Sequence, residues 1–218
     1  MSTEYPVHYG IEPPPRFSRT QLLVRVVTFL ALGVLGLSFG TVFLFAYLFL
    51  PAFAAIRLTS RPDAERYVAE DGPRILGGLR WFAAISAWAG LIAELLPGRT
   101  PEETVRLEID RTTVHPTPGS AMMRLISGIP SAIVLAILCW LGMFVWLWAA
   151  LTILVSERVG PGAFHYLVGL QRWSIRLLAY QASLVDEYPP FTFADVARPG
   201  LPTAQIVGQP TSPDPQHG

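Results

Sequence analysis

Two long uncharged stretches dominate the pattern of apolar and polar positions along this chain of 218 residues. They cover residues 26–56 and 125–156, and an arginine, Arg25 or Arg124, precedes each of them. About 20 consecutive apolar residues are enough to cross the ~30 Å hydrocarbon core of a bilayer. The pattern therefore predicts two transmembrane helices, over 26–56 and 125–156.

A two-faced segment follows the second uncharged stretch. On a helix that turns by about 100° per residue, residues 162–187 place His165, Arg172, Arg176 and Ser183 on one narrow stripe, and apolar residues occupy most of the remaining circumference. Its uncharged part is too short to span a bilayer. We expect an amphipathic helix at the membrane interface, with its arginines at the lipid headgroups. The alternative is an ordinary amphipathic helix packed on protein.

A weaker copy of this segment occurs 92 residues earlier, over 74–96. The chain thus divides into a first repeat (20–98) and a second repeat (121–193). The predicted fold is an all-α integral membrane protein with two tandem repeats, each made of one transmembrane helix and one amphipathic interfacial helix. If the amphipathic helices also cross, the alternative is four transmembrane helices. The residues that coincide include Arg80 with Arg172, Trp81 with Trp173, Glu94 with Asp186, and Pro97 with Pro189.

The remaining segments are polar. Residues 1–19 and 194–218 are rich in proline and lack an apolar period, which predicts disordered tails. Residues 99–120 form a polar connector, in which alternation over 105–110 predicts a short strand.

Composition narrows the classes of function. Charged residues make up only 15% of the chain, and sixteen basic residues balance sixteen acidic ones, which gives no basis for binding nucleic acid. The single cysteine, Cys139, lies in an apolar stretch and allows no internal disulfide. No phosphate-binding loop, nucleophile motif or metal-ligand spacing is present, so we expect a non-enzymatic protein without cofactor or metal.

Three glycines in the first uncharged stretch have helical spacing. Gly33, Gly36 and Gly40 fall on one helix face, and small residues allow helices to approach closely. They predict a packing face inside the chain, with a homodimer face as the alternative.

One combination of residues near the end of the second repeat forms a motif. It comprises Arg172, Trp173, Arg176, Tyr180, Asp186, Tyr188, Pro189, Pro190 and Phe191. With this motif after a single apolar helix, the chain resembles the bacterial membrane-protein domain of unknown function numbered 4389, well over 121–193 and weakly over 20–98. The resemblance implies a bacterial inner-membrane protein and assigns no catalytic residue.

These features lead to two main hypotheses for function. The first is a membrane scaffold or accessory subunit, whose partners are membrane lipids and either another membrane protein or a second copy. The second is a protein that binds or handles anionic lipid, with Arg172, Arg176 and Trp173 as headgroup ligands. A small transporter or channel is a third, less favoured hypothesis. Two or four crossings make a multi-pass protein with both termini on the same side, and four crossings with a mild excess of arginine inside favour the cytoplasmic side.

Overall fold

A computed structural model describes residues 5–60, 64–109 and 115–193, with Phe39 described by its backbone alone. The predicted C-terminal tail, 194–218, lies outside the described residues. The described chain is mainly helical. In chain order its elements are β1 (Val7–Gly10), α1 (Arg19–Val34), α2 (Phe39–Thr59), α3 (Ala64–Arg66), a π-helical turn (Tyr67–Asp71), α4 (Gly72–Ala89), a 3-10 turn (Pro101–Glu103), β2 (Arg106–Ile109), α5 (Pro118–Ser127), α6 (Ile129–Ser156) and α7 (Pro161–Gln181).

The first uncharged stretch forms two helices, so the single helix predicted over 26–56 is wrong. α1 ends in a turn in which Gly36 has a φ of 70°, and the amide of Leu37 donates to the carbonyl of Leu32 at 2.9 Å. This is the arrangement with which glycine commonly ends helices. Ser38 then caps α2 by accepting from the amide of Thr41. Two described helices are long and apolar enough to cross a membrane, over Gly40–Thr59 and Ile129–Ser156.

The same break separates the three glycines that were expected to form one packing face. Gly33 lies in α1, Gly36 in the turn and Gly40 in α2. A Cβ atom added at Gly33 or Gly36 would meet no other described side chain or distant backbone within 4 Å. The predicted internal glycine face is therefore wrong.

α7 is the central helix of the fold, and three successive residues define its surroundings. Leu170 faces α6, Gln171 donates to Ser86 of α4 at 2.7 Å, and Arg172 donates to the carbonyl of Tyr9 in β1 at 3.3 Å. Because successive helical residues turn by about 100°, α6 and β1 lie on opposite sides of α7. α4 packs between these two directions.

α4 has an equivalent arrangement. Arg80 donates to the carbonyl of Leu107 in β2 at 3.1 Å, and Phe82 packs near Phe43 of α2, with ring centroids 6.5 Å apart. Two residues correspond to about 200° of helical rotation. The fold consequently has three levels: β1 and β2 on one side, α4 and α7 in the middle, and the apolar helices α1, α2 and α6 on the other side.

The expected interfacial position of the 162–187 helix differs from its place in the structure. Residues 171–185 are buried throughout, under α4, α6 and the N-terminal segment. The structure has the alternative arrangement, an amphipathic helix packed on protein. Arg172, Arg176 and Ser183 of the polar stripe are buried, whereas His165 is exposed. Other parts of the chain supply hydrogen-bond acceptors for Arg172, the carbonyls of Tyr9 and Phe193.

Residues 5–18 are ordered, in contrast to the predicted disordered tail over 1–19. β1 pairs antiparallel with β2, and Tyr9 lies directly opposite Leu107. Val7 and Tyr9 are buried on one face of the strand, because side chains alternate along it, and Tyr5 is buried just before the strand begins. The short strand predicted in the connector is confirmed as β2.

The outer surfaces of the apolar helices carry many large exposed side chains. We call this surface the apolar face. It comprises Leu23, Val27, Leu30 and Val34 of α1; Val42, Leu44, Phe45, Leu48, Phe49 and Ile56 of α2; and Ile133, Ile137, Trp140, Leu141, Met143, Phe144, Leu147, Trp148, Leu151, Leu154 and Val155 of α6.

The turn between α1 and α2 gives a first testable prediction. Gly36→Ala should lower the free energy of unfolding by about 1–2 kcal/mol, because a Cβ disfavours the left-handed conformation. Gly33→Ala is the matched control, and it should be neutral or stabilising by up to about 1 kcal/mol in its helical position. Thermal unfolding in detergent micelles measures both changes. Equal effects of the two substitutions would contradict the assigned turn.

Candidate functional site

Arg124 is buried at the end of α5 and binds the C-terminal end of α7. Its Nη1 donates to the carbonyl of Tyr180 at 3.0 Å and to that of Val185, and its Nη2 pairs with the Asp186 carboxylate. The guanidinium also lies 4.7 Å from the centroid of the Tyr180 ring. A single cation thus binds two backbone carbonyls and one carboxylate at this helix end, and the carbonyl of Tyr180 also accepts from the amide of Ser183 at 3.0 Å.

The end of α7 has a backbone turn that creates these acceptors. Ser183 adopts a φ of 57°, and the amide of Leu184 donates back to the carbonyl of Ala179 at 3.1 Å. The turn reverses the chain but leaves the carbonyl of Val185 pointing into the protein. A buried carbonyl without a partner costs about 1–3 kcal/mol, so the position of Arg124 stabilises the turn.

Arg25 has the same role at the end of α4. Its Nη2 donates to the carbonyls of Ala93 and Glu94, both at 2.6 Å, and lies 3.9 Å from the Glu94 carboxylate. The ring centroid of Trp88 is 5.4 Å from the guanidinium. Burial lowers the pKa of Arg25 to about 10, and the Glu94 carboxylate acts in the opposite direction.

The two helix ends correspond residue by residue. Leu91 has a φ of 59°, and the amide of Ile92 donates to the carbonyl of Ala87 at 3.0 Å. Each of these residues has its counterpart 92 positions later in α7, and the two arginines are 99 positions apart. We call the two sets of contacts the Arg25 site and the Arg124 site.

A polar cluster extends the Arg124 site toward α2. Gln181 donates to the carbonyl of Arg124 at 3.0 Å, Tyr47 of α2 donates to the carbonyl of Leu125 at 2.8 Å, and the hydroxyl groups of Ser127 and Tyr180 are 2.8 Å apart. This cluster explains why the boundary between α5 and α6 is a glycine. A Cβ at that position, Gly128, would collide with Gln181 and lie 2.8 Å from the Tyr47 hydroxyl.

The motif residues of the C-terminal segment come together with those of α7. Residues 186–193, which we call the return segment, run back along the helix. The Tyr188 ring packs edge-on against Tyr180 at 5.6 Å, and Phe191 packs edge-on against Trp173 at 5.3 Å. Ser131 of α6 also donates to the Tyr188 hydroxyl at 2.7 Å. Pro189 is buried and Pro190 half-buried between these aromatic contacts.

The residues predicted to contact lipid headgroups lie inside the protein. Arg172 donates to the carbonyls of Tyr9 and Phe193, the latter at 2.6 Å. Arg176 is 1% exposed and lies with its guanidinium 5.4 Å from the centroid of the Tyr5 ring, and Trp173 is also buried. The N-terminal and return segments therefore occupy the positions where a headgroup was expected.

Sequence analysis identified Arg25 and Arg124 only as flanking charges. Their common position before an uncharged stretch hinted at a shared role. Nothing in the sequence pattern showed that these arginines bind backbone carbonyls at helix ends. Among the described residues, no three His, Cys, Asp or Glu side chains come together in a group suited to a metal ion.

Removing a buried arginine should destabilise the protein strongly. Arg124→Leu and Arg25→Leu should each lower the free energy of unfolding by about 3 kcal/mol. The first leaves the buried carbonyl of Val185 without a donor among the described residues and removes one of the two donors to the carbonyl of Tyr180. The second leaves the carbonyls of Ala93 and Glu94 without a donor among the described residues. Asp186→Asn should cost less than about 1 kcal/mol, since its side chain is 53% exposed. The exposed Arg158 provides the control, Arg158→Leu, with little expected change. Denaturation in detergent gives the ranking, and equal losses at Arg124 and Arg158 would contradict it.

Alkaline pH should destabilise the fold through its buried tyrosines. Burial raises the pKa of Tyr5, Tyr9 and Tyr67 above the ordinary value of 10.0. Their contribution is complete below pH 10 and is lost above it, because the unfolded chain ionises first. The lowered pKa of Arg25 has the opposite effect on stability, because above about pH 10 the folded chain loses this proton before the unfolded chain does. The three tyrosines outweigh this single arginine.

Thermal unfolding at pH 9, 10 and 11 tests this expectation. Tyr9→Phe is the informative variant, because the Tyr9 hydroxyl has no hydrogen-bond partner among the described residues. The variant should match the parent at pH 7 and lose less stability at pH 11. An identical pH dependence of the two proteins would contradict the assigned burial of Tyr9.

Comparisons with known proteins concern the second half of the chain. Comparison with curated proteins and with solved structures gives no match. One family model matches residues 118–192, which include α5, α6, α7 and most of the return segment. The weaker resemblance over 20–98 stays a prediction. Residues 118–192 are thus similar to the family described as "Domain of unknown function (DUF4389)", and the resemblance expected from the sequence is confirmed for this segment.

Proposed function

We propose that this protein is a non-enzymatic scaffold or accessory subunit of the bacterial inner membrane. The apolar face supports a membrane location, because exposed apolar area of this extent is unfavourable in water. On α6 alone, Trp140 is 60%, Phe144 54% and Trp148 62% exposed. Lipid and a partner membrane protein are the surroundings that stabilise such side chains.

The motif residues contact other parts of the same chain, and this observation carries the proposal of a scaffold. Tyr180 and Asp186 bind Arg124, while Trp173 and Phe191 pack on each other. Arg172 binds two backbone carbonyls. These residues hold the fold together, and the apolar face is then the largest surface left for another molecule.

A tandem repeat is part of the same proposal. The Arg25 and Arg124 sites support it, because the arginine, the aromatic ring, the left-handed residue and the acid recur in the same relation. The strands add a further correspondence. Tyr9 and Leu107 are opposite each other, and their carbonyls accept from Arg172 and Arg80 respectively, two arginines that coincide in the repeat.

Both termini are proposed to lie on the same, cytoplasmic side. Arg172 supports a common side for the two termini, because it binds Tyr9 near the start of the described chain and Phe193 at its end. The cytoplasmic assignment follows from the arginine distribution.

Quantitative purification tests the proposed function. The tagged protein is isolated from bacterial membranes in mild detergent, and mass spectrometry measures the molar ratio of every retained protein and lipid. We expect one membrane protein at a fixed ratio. Trp140→Leu with Trp148→Leu should reduce that ratio at least fivefold, because the change keeps apolar character but alters shape. Met143→Leu on the same helix is the control and should leave the ratio unchanged.

Two outcomes would contradict the proposal. Recovery of the protein in the soluble fraction would remove the membrane location. A monomer that retains one anionic lipid at a fixed ratio, without any protein partner, would favour the lipid-binding alternative instead.

A further inference from the structure

The apolar face and the charged surface of the protein lie on opposite sides of α4 and α7. The directions of Leu170 and Arg172 on α7, and of Phe82 and Arg80 on α4, place β1 and β2 away from α6 and α2. The strands carry charge at their outer surface. Arg106 and Glu12 form an ion pair of 3.2 Å in which both side chains are 80% exposed.

The strands also lie opposite the middle of α6. α7 runs antiparallel to α6, because Tyr166 near its start donates to the carbonyl of Leu138, whereas Gln181 at its end donates to that of Arg124, just before α6 begins. Arg172, which binds β1, lies midway along α7. The exposed charges of Arg106 and Glu12 are therefore level with the central part of α6.

This position conflicts with a crossing orientation of α6. If α6 ran along the membrane normal, Arg106, Glu12 and the exposed Glu108 would lie near the bilayer centre, where charged side chains are strongly disfavoured. In addition, the 28 residues of α6 extend for about 42 Å, well beyond the ~30 Å hydrocarbon core.

We propose that the protein lies within one leaflet, with α1, α2 and α6 parallel to the membrane plane. The apolar face contacts the acyl chains, α4 and α7 form the layer above, and β1 and β2 face the aqueous phase. The apolar face thus inserts as a single layer of helices into a lipid monolayer, to a depth of about 5–10 Å, and the membrane partner of the proposed function reaches Trp140 and Trp148 from within the same leaflet. This orientation leaves every exposed charge on the strands in water.

The proposal deepens the proposed function, since it rests on the membrane location and replaces the two predicted crossings. α1 supports it. This helix packs on α6 through Phe29 and Trp146, with ring centroids 5.8 Å apart, and it exposes Leu30 to 67% although it is too short to span. Helices that lie flat have no minimum length, so α1 contacts lipid in the same way as its longer neighbours.

Cysteine labelling from one side of the membrane distinguishes the orientations. In a Cys139→Ser background, Gly119→Cys and Gly162→Cys place single thiols on the two sides of α6, in the first turns of α5 and α7. Both glycines are exposed, with no atom near an added Cβ within 4 Å. A membrane-impermeant maleimide is applied to intact spheroplasts and, for normalisation, to detergent-permeabilised ones. Cys139→Ser alone is the unlabelled control, and thermal unfolding verifies that each variant is folded.

We expect the two thiols to behave alike, with labelled fractions within twofold of each other in intact spheroplasts. Arg106→Cys should match them, because it lies on the same side. Labelling of Gly119→Cys and Gly162→Cys from opposite sides, with at least a tenfold difference, would overturn the one-leaflet orientation. That result would leave the membrane location and the proposed function intact, whereas recovery of the parent protein in the soluble fraction would remove both.

Discussion

The bond between a buried guanidinium and helix-terminal carbonyls is the interaction on which this fold depends. α4 and α7 form the middle layer, and both end in a left-handed residue inside the protein, at Leu91 and Ser183. The bonds to the following carbonyls of Ala93 and Val185 are buried. Arg25 and Arg124 reach them from neighbouring helices and tie α1 to the end of α4 and α5 to the end of α7. An arginine suits this role because its planar group donates several hydrogen bonds in fixed directions and keeps its charge when partly desolvated.

The sequence predicts where apolar helices lie along the chain, but it does not predict which parts of the chain pack around them. Long uncharged stretches indicate apolar helices directly, and α6 follows the predicted 125–156 closely. The break at Gly36 was missed because one glycine in an apolar stretch carries no specific signal. The arginine stripe was identified correctly as a polar face, but periodicity does not say whether such a face meets headgroups or backbone carbonyls. Tyr9 and Phe193, which decide the answer for Arg172, are far from it in sequence.

The two strands show how a very small sheet can be stabilised. An isolated pair of four-residue strands is marginal in water. Here Arg172 and Arg80 bind the outward carbonyls of Tyr9 and Leu107, which would otherwise form open sheet edges. Unpaired edges invite pairing with other chains, so the two arginines stabilise the strands and also limit aggregation.

The hydrogen bond between Arg172 and the carbonyl of Tyr9 in β1 has a consequence for synthesis on the ribosome. β1 emerges before β2, its strand partner, and the guanidinium that binds Tyr9 belongs to a residue 163 positions later. The two strands can pair once β2 has been translated, but the carbonyl of Tyr9 stays without this donor until α7 follows. Contacts of such long sequence separation form slowly, because the entropy of closing the loop must be overcome first. Completion of the fold is thereby coupled to translation of α7, and a nascent chain stalled before Arg172 would leave this edge of the strand pair open to molecular chaperones.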